Sequence, residues 1–202
     1  MTRNITTIIL CTVLLSISRT VFSQTDSQRH EHTRIDDYIQ YAPMAANVSM
    51  GWLGIEAKHT GRERILTTGT AFCMMTAIAG GLKLTIHETR PDGTDQESFP
   101  SGHAARAFMG AELVRTEYGT RLGIAAYGTA IGVAYLRVYN DRHWVKDVVA
   151  GAGIGILSAR MAYWLLPLEK RILGWDKEED MVIVPTYQWE TKSVGLSLSY
   201  RF

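Results

Sequence analysis

Apolar residues along this chain fall in long blocks separated by short polar stops, and the period within each block assigns it to an element. "RERILTTGTAFCMMTAIAGGLKLTIHETR" predicts a long helix from Glu63 to about Thr89, ended by Pro91 and Gly93. A shorter helical pattern, "PMAANVSMGWLGIEAK", precedes it over 43–58. Three further helices are predicted over 102–118, 121–139 and 144–167, with Gly119 between the first two and Asn140-Asp141 between the last two. Glycine and alanine recur in "GIAAYGTAIGVAY" and "VVAGAGIGILSA", a density that lets helices approach closely. Together these elements predict an antiparallel bundle of about five helices. Beyond it the period drops to 2. Met181, Ile183, Tyr187 and Trp189 alternate with other residues, as do Val194, Leu196, Leu198, Tyr200 and Phe202, which predicts two strands with a turn near Glu190–Ser193. The expected fold is all-α with a C-terminal β-hairpin.

The N-terminus carries a different pattern. Arg3 is followed by an apolar run from Ile5 to Ile17 and then by Val21-Phe22-Ser23. The run falls short of the ~20 residues that a spanning helix needs, and the residues after it suit cleavage before Gln24. Residues 1–23 are therefore expected to be a signal peptide, 24–42 a polar segment, 43–168 the helical domain, and 169–202 a linker and hairpin. "QTDSQRHEHTRIDDY" is too polar to bury a core and is expected to be loosely attached; its His30, Glu31 and His32 lack a third ligand at fixed spacing.

Composition adds limits. With 202 residues, 46% hydrophobic and 20% charged, the chain can form one domain with a substantial core. A formal net charge of +1 gives no electrostatic case for nucleic acid. After removal of 1–23, Cys73 is the remaining cysteine, so no internal disulfide can form; it is expected to be a buried, inert thiol.

The unusual polar residues cluster at helix ends. Lys83 and Arg90, seven apart, share a face if the first long helix runs to Thr89. Ser101 is placed to cap the helix starting near Gly102, whose N–H groups favour an anion, and His103 follows in the first turn. Arg137 ends one helix, His143 precedes the next, and Asp147 lies four residues beyond His143, where its carboxylate can hold one ring nitrogen as N–H. In an up-down bundle all eight residues meet at one end. They describe an oxyanion site with a nucleophile and an acid. No cluster of carboxylates is available for Mg²⁺ or Ca²⁺, which favours phosphoryl transfer without a metal or other cofactor.

"KLTIHETRP" (83–91), "PSGH" (100–103) and the R-x5-H-x3-D pattern of 137–147 resemble the three ordered signatures of the type 2 phosphatidic acid phosphatase superfamily, which also contains vanadium haloperoxidases and bacterial acid phosphatases. The resemblance spans about residues 60–167. It implies that His143 attacks phosphorus and carries a phosphohistidine, that Asp147 orients it, and that His103 protonates the leaving alkoxide. It further implies that Lys83, Arg90, Ser101, Gly102 and Arg137 bind the phosphoryl oxygens. Leu136 stands where the family usually has serine. The implied activity is hydrolysis of a phosphomonoester or a lipid (di)phosphate in the cell envelope. The alternatives are a vanadium-dependent haloperoxidase and a non-catalytic envelope protein with a vestigial site. A bell-shaped pH–rate profile is expected from a deprotonated His143 and a protonated His103.

Membrane placement turns on charge. Residues 65–82 are long and apolar enough to span a bilayer, but Arg106, Glu112, Arg115 and Arg160 would each cost roughly 2.5–3.5 kcal/mol at its centre. A periplasmic body with some membrane association is the expectation. The alternative is an integral membrane protein with the site facing the periplasm. Lys58, Arg62, Arg64, Arg115, Arg121, Lys170 and Arg171, at the end away from the site, satisfy a positive-inside arrangement.

Overall fold

The computed structural model describes residues 35–175 and the backbone of 181–188 and 193–200; the proposed signal peptide and the His30–His32 run lie outside the described residues. The chain divides into two compact units, Met1–Trp164 and Leu165–Phe202. The helices are α1 (Ile35–Ile39), α2 (Ala42–Ser49), α3 (Gly61–Thr85), α4 (Gly102–Tyr118), α5 (Thr120–Tyr139) and α6 (Val145–Ile172). In the second unit, β1 (Met181–Gln188) pairs antiparallel with β2 (Ser193–Tyr200), Met181 opposite Tyr200 and Gln188 opposite Ser193.

Local chemistry sets the helix ends. Thr60 and Glu63 form a reciprocal capping box at the start of α3. Ser101 caps α4 through the Ala104 N–H, and Gly119, at φ +83° and ψ 179°, a conformation essentially reserved for glycine, separates α4 from α5. Three predicted boundaries move: α6 runs past 167 to Ile172, with Pro167 inside it, and two others draw in. The 43–58 pattern is helical only to Ser49, after which Gly54 turns the chain at φ +79°. Helix α3 stops at Thr85, because Ile86 is extended, so residues 86–98 form an irregular connection before α4.

Helix α4 is the centre of the first unit, buried on two faces. Ala105, Met109 and Leu113 pack with Ala71 and Met75 of α3 and with Ala159 and Ala162 of α6. Ala107, Ala111 and Val114 pack with Ala126, Ala130 and Val133 of α5. Small side chains on both faces let three helices close around it. The approach to α6 is tightest: a Cβ on Gly151 would lie 2.3 Å from the Ser101 carbonyl oxygen, and one on Gly155 2.2 Å from that of Ala105.

Cys73 is exposed, contrary to the sequence expectation. The buried stripe of α3 passes through Thr67, Thr68, Ala71, Met75 and Ala79. Two residues on from Ala71 is about 200° around the helix, so Cys73 faces away from the core.

The charges on α4 and α6 are paired. Glu112, buried, accepts from Arg115 at 2.6 and 2.7 Å, from Arg160 Nε at 2.9 Å and from Tyr127 Oη at 2.6 Å. Removing the carboxylate strands two guanidinium groups. Glu112→Ala is expected to cost about 3 kcal/mol, the low end for a broken buried pair because both arginines keep an exposed edge. Thermal unfolding in detergent checks this as a fall in Tm.

Candidate active site

The C-terminal ends of α3 and α5 and the N-terminal ends of α4 and α6 surround a cavity of about 430 Å³. Its basic lining is Lys83, Arg90, Arg106, Arg137 and Arg142; its acidic lining is Asp36, Asp37 and Glu97. Gly102, His103, Asn140 and His143 complete it. Six of the eight predicted site residues therefore line one cavity. Lys83 and Arg90 reach it by a route other than a shared helical face. Lys83 sits in the last turn of α3 and donates to the Glu97 carbonyl, while Arg90 lies beyond the helix and bonds Asp95 Oδ1 at 2.7 Å.

Ser101 and Asp147 are placed behind the cavity rather than in it. Ser101 is fully buried. Its hydroxyl accepts from Ala104 N–H and its own N–H donates to the Asp147 carbonyl at 3.0 Å. It fixes where α4 begins, and only the first turn beyond it faces the cavity. Asp147 is also fully buried, but its Oδ2 lies 3.8 Å from His143 Nδ1, too far for a hydrogen bond. That oxygen instead accepts from the Trp144 N–H at 2.9 Å and from the Ser98 hydroxyl. His143 Nδ1 donates to the Ser98 carbonyl at 2.7 Å. The acceptor expected to be Asp147 is thus a main-chain oxygen, and Asp147 acts one residue removed, by holding Ser98.

A carbonyl only accepts, so this bond places the hydrogen on Nδ1 and leaves the lone pair on Nε2. Burial, then Arg137 and Arg90, lowers the His143 pKa to about 3, so the ring is neutral at ordinary pH. His103 is lowered to about 4, by burial first and then by Arg137. It too is uncharged at neutral pH, whereas the sequence predicts a protonated His103. Its burial among arginines is the reason.

Six residues in and around the site escaped the sequence reading. Ser98 has no motif beyond its place before Phe99-Pro100. Arg142 pairs with Asp92 at 3.3 Å and, with Trp144 Nε1 bonded to the Thr89 carbonyl at 3.0 Å, ties the 86–98 connection to the start of α6. Asp36 and Asp37 belong to α1, inside the segment expected to be loosely attached. Arg137 donates to Asp36 Oδ2 at 2.6 Å and His103 Nε2 bonds Asp37 Oδ1 at 2.8 Å. Arg106, on the second turn of α4, joins them through Gln40 and Tyr41. The adjacent acids of "IDDY" were the available signal. Among the described residues no group of three His, Cys, Asp or Glu is arranged to hold a metal ion.

The family model of the PAP2 superfamily matches residues 64–171. A lipid A 1-phosphatase of Porphyromonas gingivalis is 36% identical over 141 residues, covering 68% of this chain and 32% of that protein. The chain spans about a third of the length of that relative. The crystal structure of Aquifex aeolicus LpxE has the same fold, with a TM-score of 0.53 and 20% identity over 67% of this chain and 88% of that one. That family match, over more than half of the chain, makes this chain a member of the PAP2 superfamily.

Proposed function

We propose that this chain is a membrane-embedded phosphatase that hydrolyses a lipid phosphate ester through a phosphohistidine on His143, without a metal. The observation that carries the reading is the fixed tautomer of His143: Nδ1–H on the Ser98 carbonyl, and an unprotonated Nε2 at a cavity lined by five cations. Nε2 attacks phosphorus and the P–O bond to the alcohol breaks. His103 gives a proton to the departing alkoxide. Water then attacks the phosphohistidine, His103 takes its proton, and the P–N bond breaks to release inorganic phosphate. Lys83, Arg90 and Arg137, with the first turn of α4 at Gly102, hold the charge on the equatorial oxygens. Trapping acid-labile, base-stable phosphate on His143 with a radiolabelled lipid phosphate tests this directly.

Three helices, α3, α5 and α6, are long and apolar enough to cross a membrane. Exposed Leu84, Ile131, Val149, Leu157 and Trp164 lie on them, and the polar groups of Glu112, Arg115 and Arg160 are spent on one another. Both facts support an integral membrane protein over the periplasmic body that charge counting favours. Lys58, Arg62 and Arg121, near the other helix ends, support a periplasmic orientation of the site, with export directed by residues 1–23. The substrate is a lipid phosphate of the kind named for the Porphyromonas relative.

The pH dependence follows from the two histidines. With His143 at about 3, its neutral form persists down to about pH 4, so the acid limb of the expected bell moves out of the usual range. With His103 at about 4, the donated proton must arrive with the substrate. A phosphomonoester has a second pKa of about 6. The expected kcat/KM is flat from about pH 4 to 6 and falls about tenfold per unit above that, as the ester loses its proton. A pH–rate profile on a soluble monoester checks it.

A further inference from the structure

Three cavity side chains, from two helices, turn to one short segment. Arg137 of α5 reaches Asp36, His103 of α4 reaches Asp37, and Arg106 of α4 reaches Gln40 and, at 3.2 Å, Tyr41 Oη. The Arg106 guanidinium also lies over the Tyr41 ring, 5.6 Å from its centroid. Asp36 is buried, whereas the Asp37 side chain is 49% exposed and lines the cavity. All four partners lie N-terminal to residues 64–171, the span of the family match, so the shared signatures do not supply them.

We infer that Asp37 is a positioning residue for proton transfer: it fixes the His103 ring through Nε2–H and favours the imidazolium that hands a proton to the leaving alkoxide, while Asp36 anchors α1 on Arg137. This rests on the phosphohistidine reading above. A carboxylate accepts only, so the Nε2 hydrogen stays on Asp37 and the mobile proton is the one on Nδ1. That proton goes to the alkoxide oxygen as the P–O bond breaks. The attacking water returns one to Nδ1 as the P–N bond breaks.

The charges around His103 give Asp37 its weight. Arg137 from α5 and Arg106 from α4 itself oppose the imidazolium; Asp37 and Asp36 from α1 favour it. The same cavity is lined by Lys83 from α3 and by Arg90, Glu97, Arg142 and His143 from the connections. Cations outnumber carboxylates on that lining. Asp37 is the acid that touches the ring, so its removal leaves only Asp36 and Glu97 against the five cations of that lining.

The test compares leaving groups in the full-length enzyme. An alkyl phosphate needs the proton, and an aryl phosphate with a stable phenolate does not. Asp37→Asn is expected to lower kcat on the alkyl ester 10- to 100-fold, within the range of general acid catalysis, with KM changed less than twofold and the aryl ester nearly unaffected. The descending limb of the kcat profile should move to lower pH, and Asp37→Glu should restore most of the alkyl rate. Equal slowing of both esters, or a limb that stays in place, would overturn the inference. The underlying reading is scored separately on the wild-type chain: absence of phosphate on His143 there sinks that reading, whatever Asp37→Asn does.

Discussion

His143→Ala is expected to abolish phosphate release, by about 10⁴-fold or more, as loss of a covalent nucleophile does elsewhere. The effect should sit in kcat, because the proposed phosphoryl-binding residues Lys83, Arg90 and Arg137 remain in place. The residue is 3% exposed and its Nδ1 is spent on the Ser98 carbonyl, so the variant also leaves that carbonyl without this donor. The structural cost is about 1–3 kcal/mol. A folded variant with a modestly lowered Tm and no turnover is the expected pair of results. Turnover near the wild-type rate in a folded variant would remove the covalent mechanism.

Gly151→Ala carries the second large effect, through geometry alone. The added methyl would lie 2.3 Å from the Ser101 carbonyl oxygen, a contact that backbone must relieve by moving. Ser101 is the N-cap of α4 and is bonded to the Asp147 carbonyl, so separating α6 from α4 here shifts Gly102 and His103 against His143. Overpacking of this kind costs typically about 1–3 kcal/mol. Misplacement of reacting groups by about an ångström costs about 10²-fold in rate. We expect activity to fall at least that far while most of the helical signal remains. Circular dichroism and a turnover assay on the same preparation check it. An unchanged rate would mean that α4 and α6 do not set the site's geometry.

The sequence resolved the bundle better than its connections. Helix 102–118 is read to the residue because Ser101 and Gly119 are strong local stops. The end of α3 is misplaced because "IHETR" keeps an apolar-polar pattern after Ile86 has left helical geometry. Its hydrogen bonds are made at a distance in sequence, Glu88 N–H to the Gln96 carbonyl and Arg90 N–H to that of Asp95. Spacing does not encode such partners. The same limit applies to the site. Lys83, Arg90, Gly102, His103, Arg137 and His143 are legible because chemistry and motif coincide. Ser98 is not, because its contribution to His143 is a carbonyl that every residue has. Asp36 and Asp37 are hidden for another reason. A polar segment of low hydrophobicity reads as solvated unless its partners are known, and those partners are Arg137 and His103 of the site itself. Cys73 shows the reverse error, an apolar neighbourhood mistaken for a buried one.

The bond from His143 to the Ser98 carbonyl has a consequence for how such a site survives mutation. A carboxylate clamp can be lost by one codon change. A main-chain oxygen is written into every allele, whatever residue 98 becomes. Drift there to a residue no larger than serine removes only the hydroxyl that reaches Asp147, loosening the loop without stripping His143 of its acceptor. The tautomer on which the proposed chemistry depends is therefore protected from point substitution at its acceptor. It is vulnerable instead to insertions and deletions, which would slide a different carbonyl, or none, into that place.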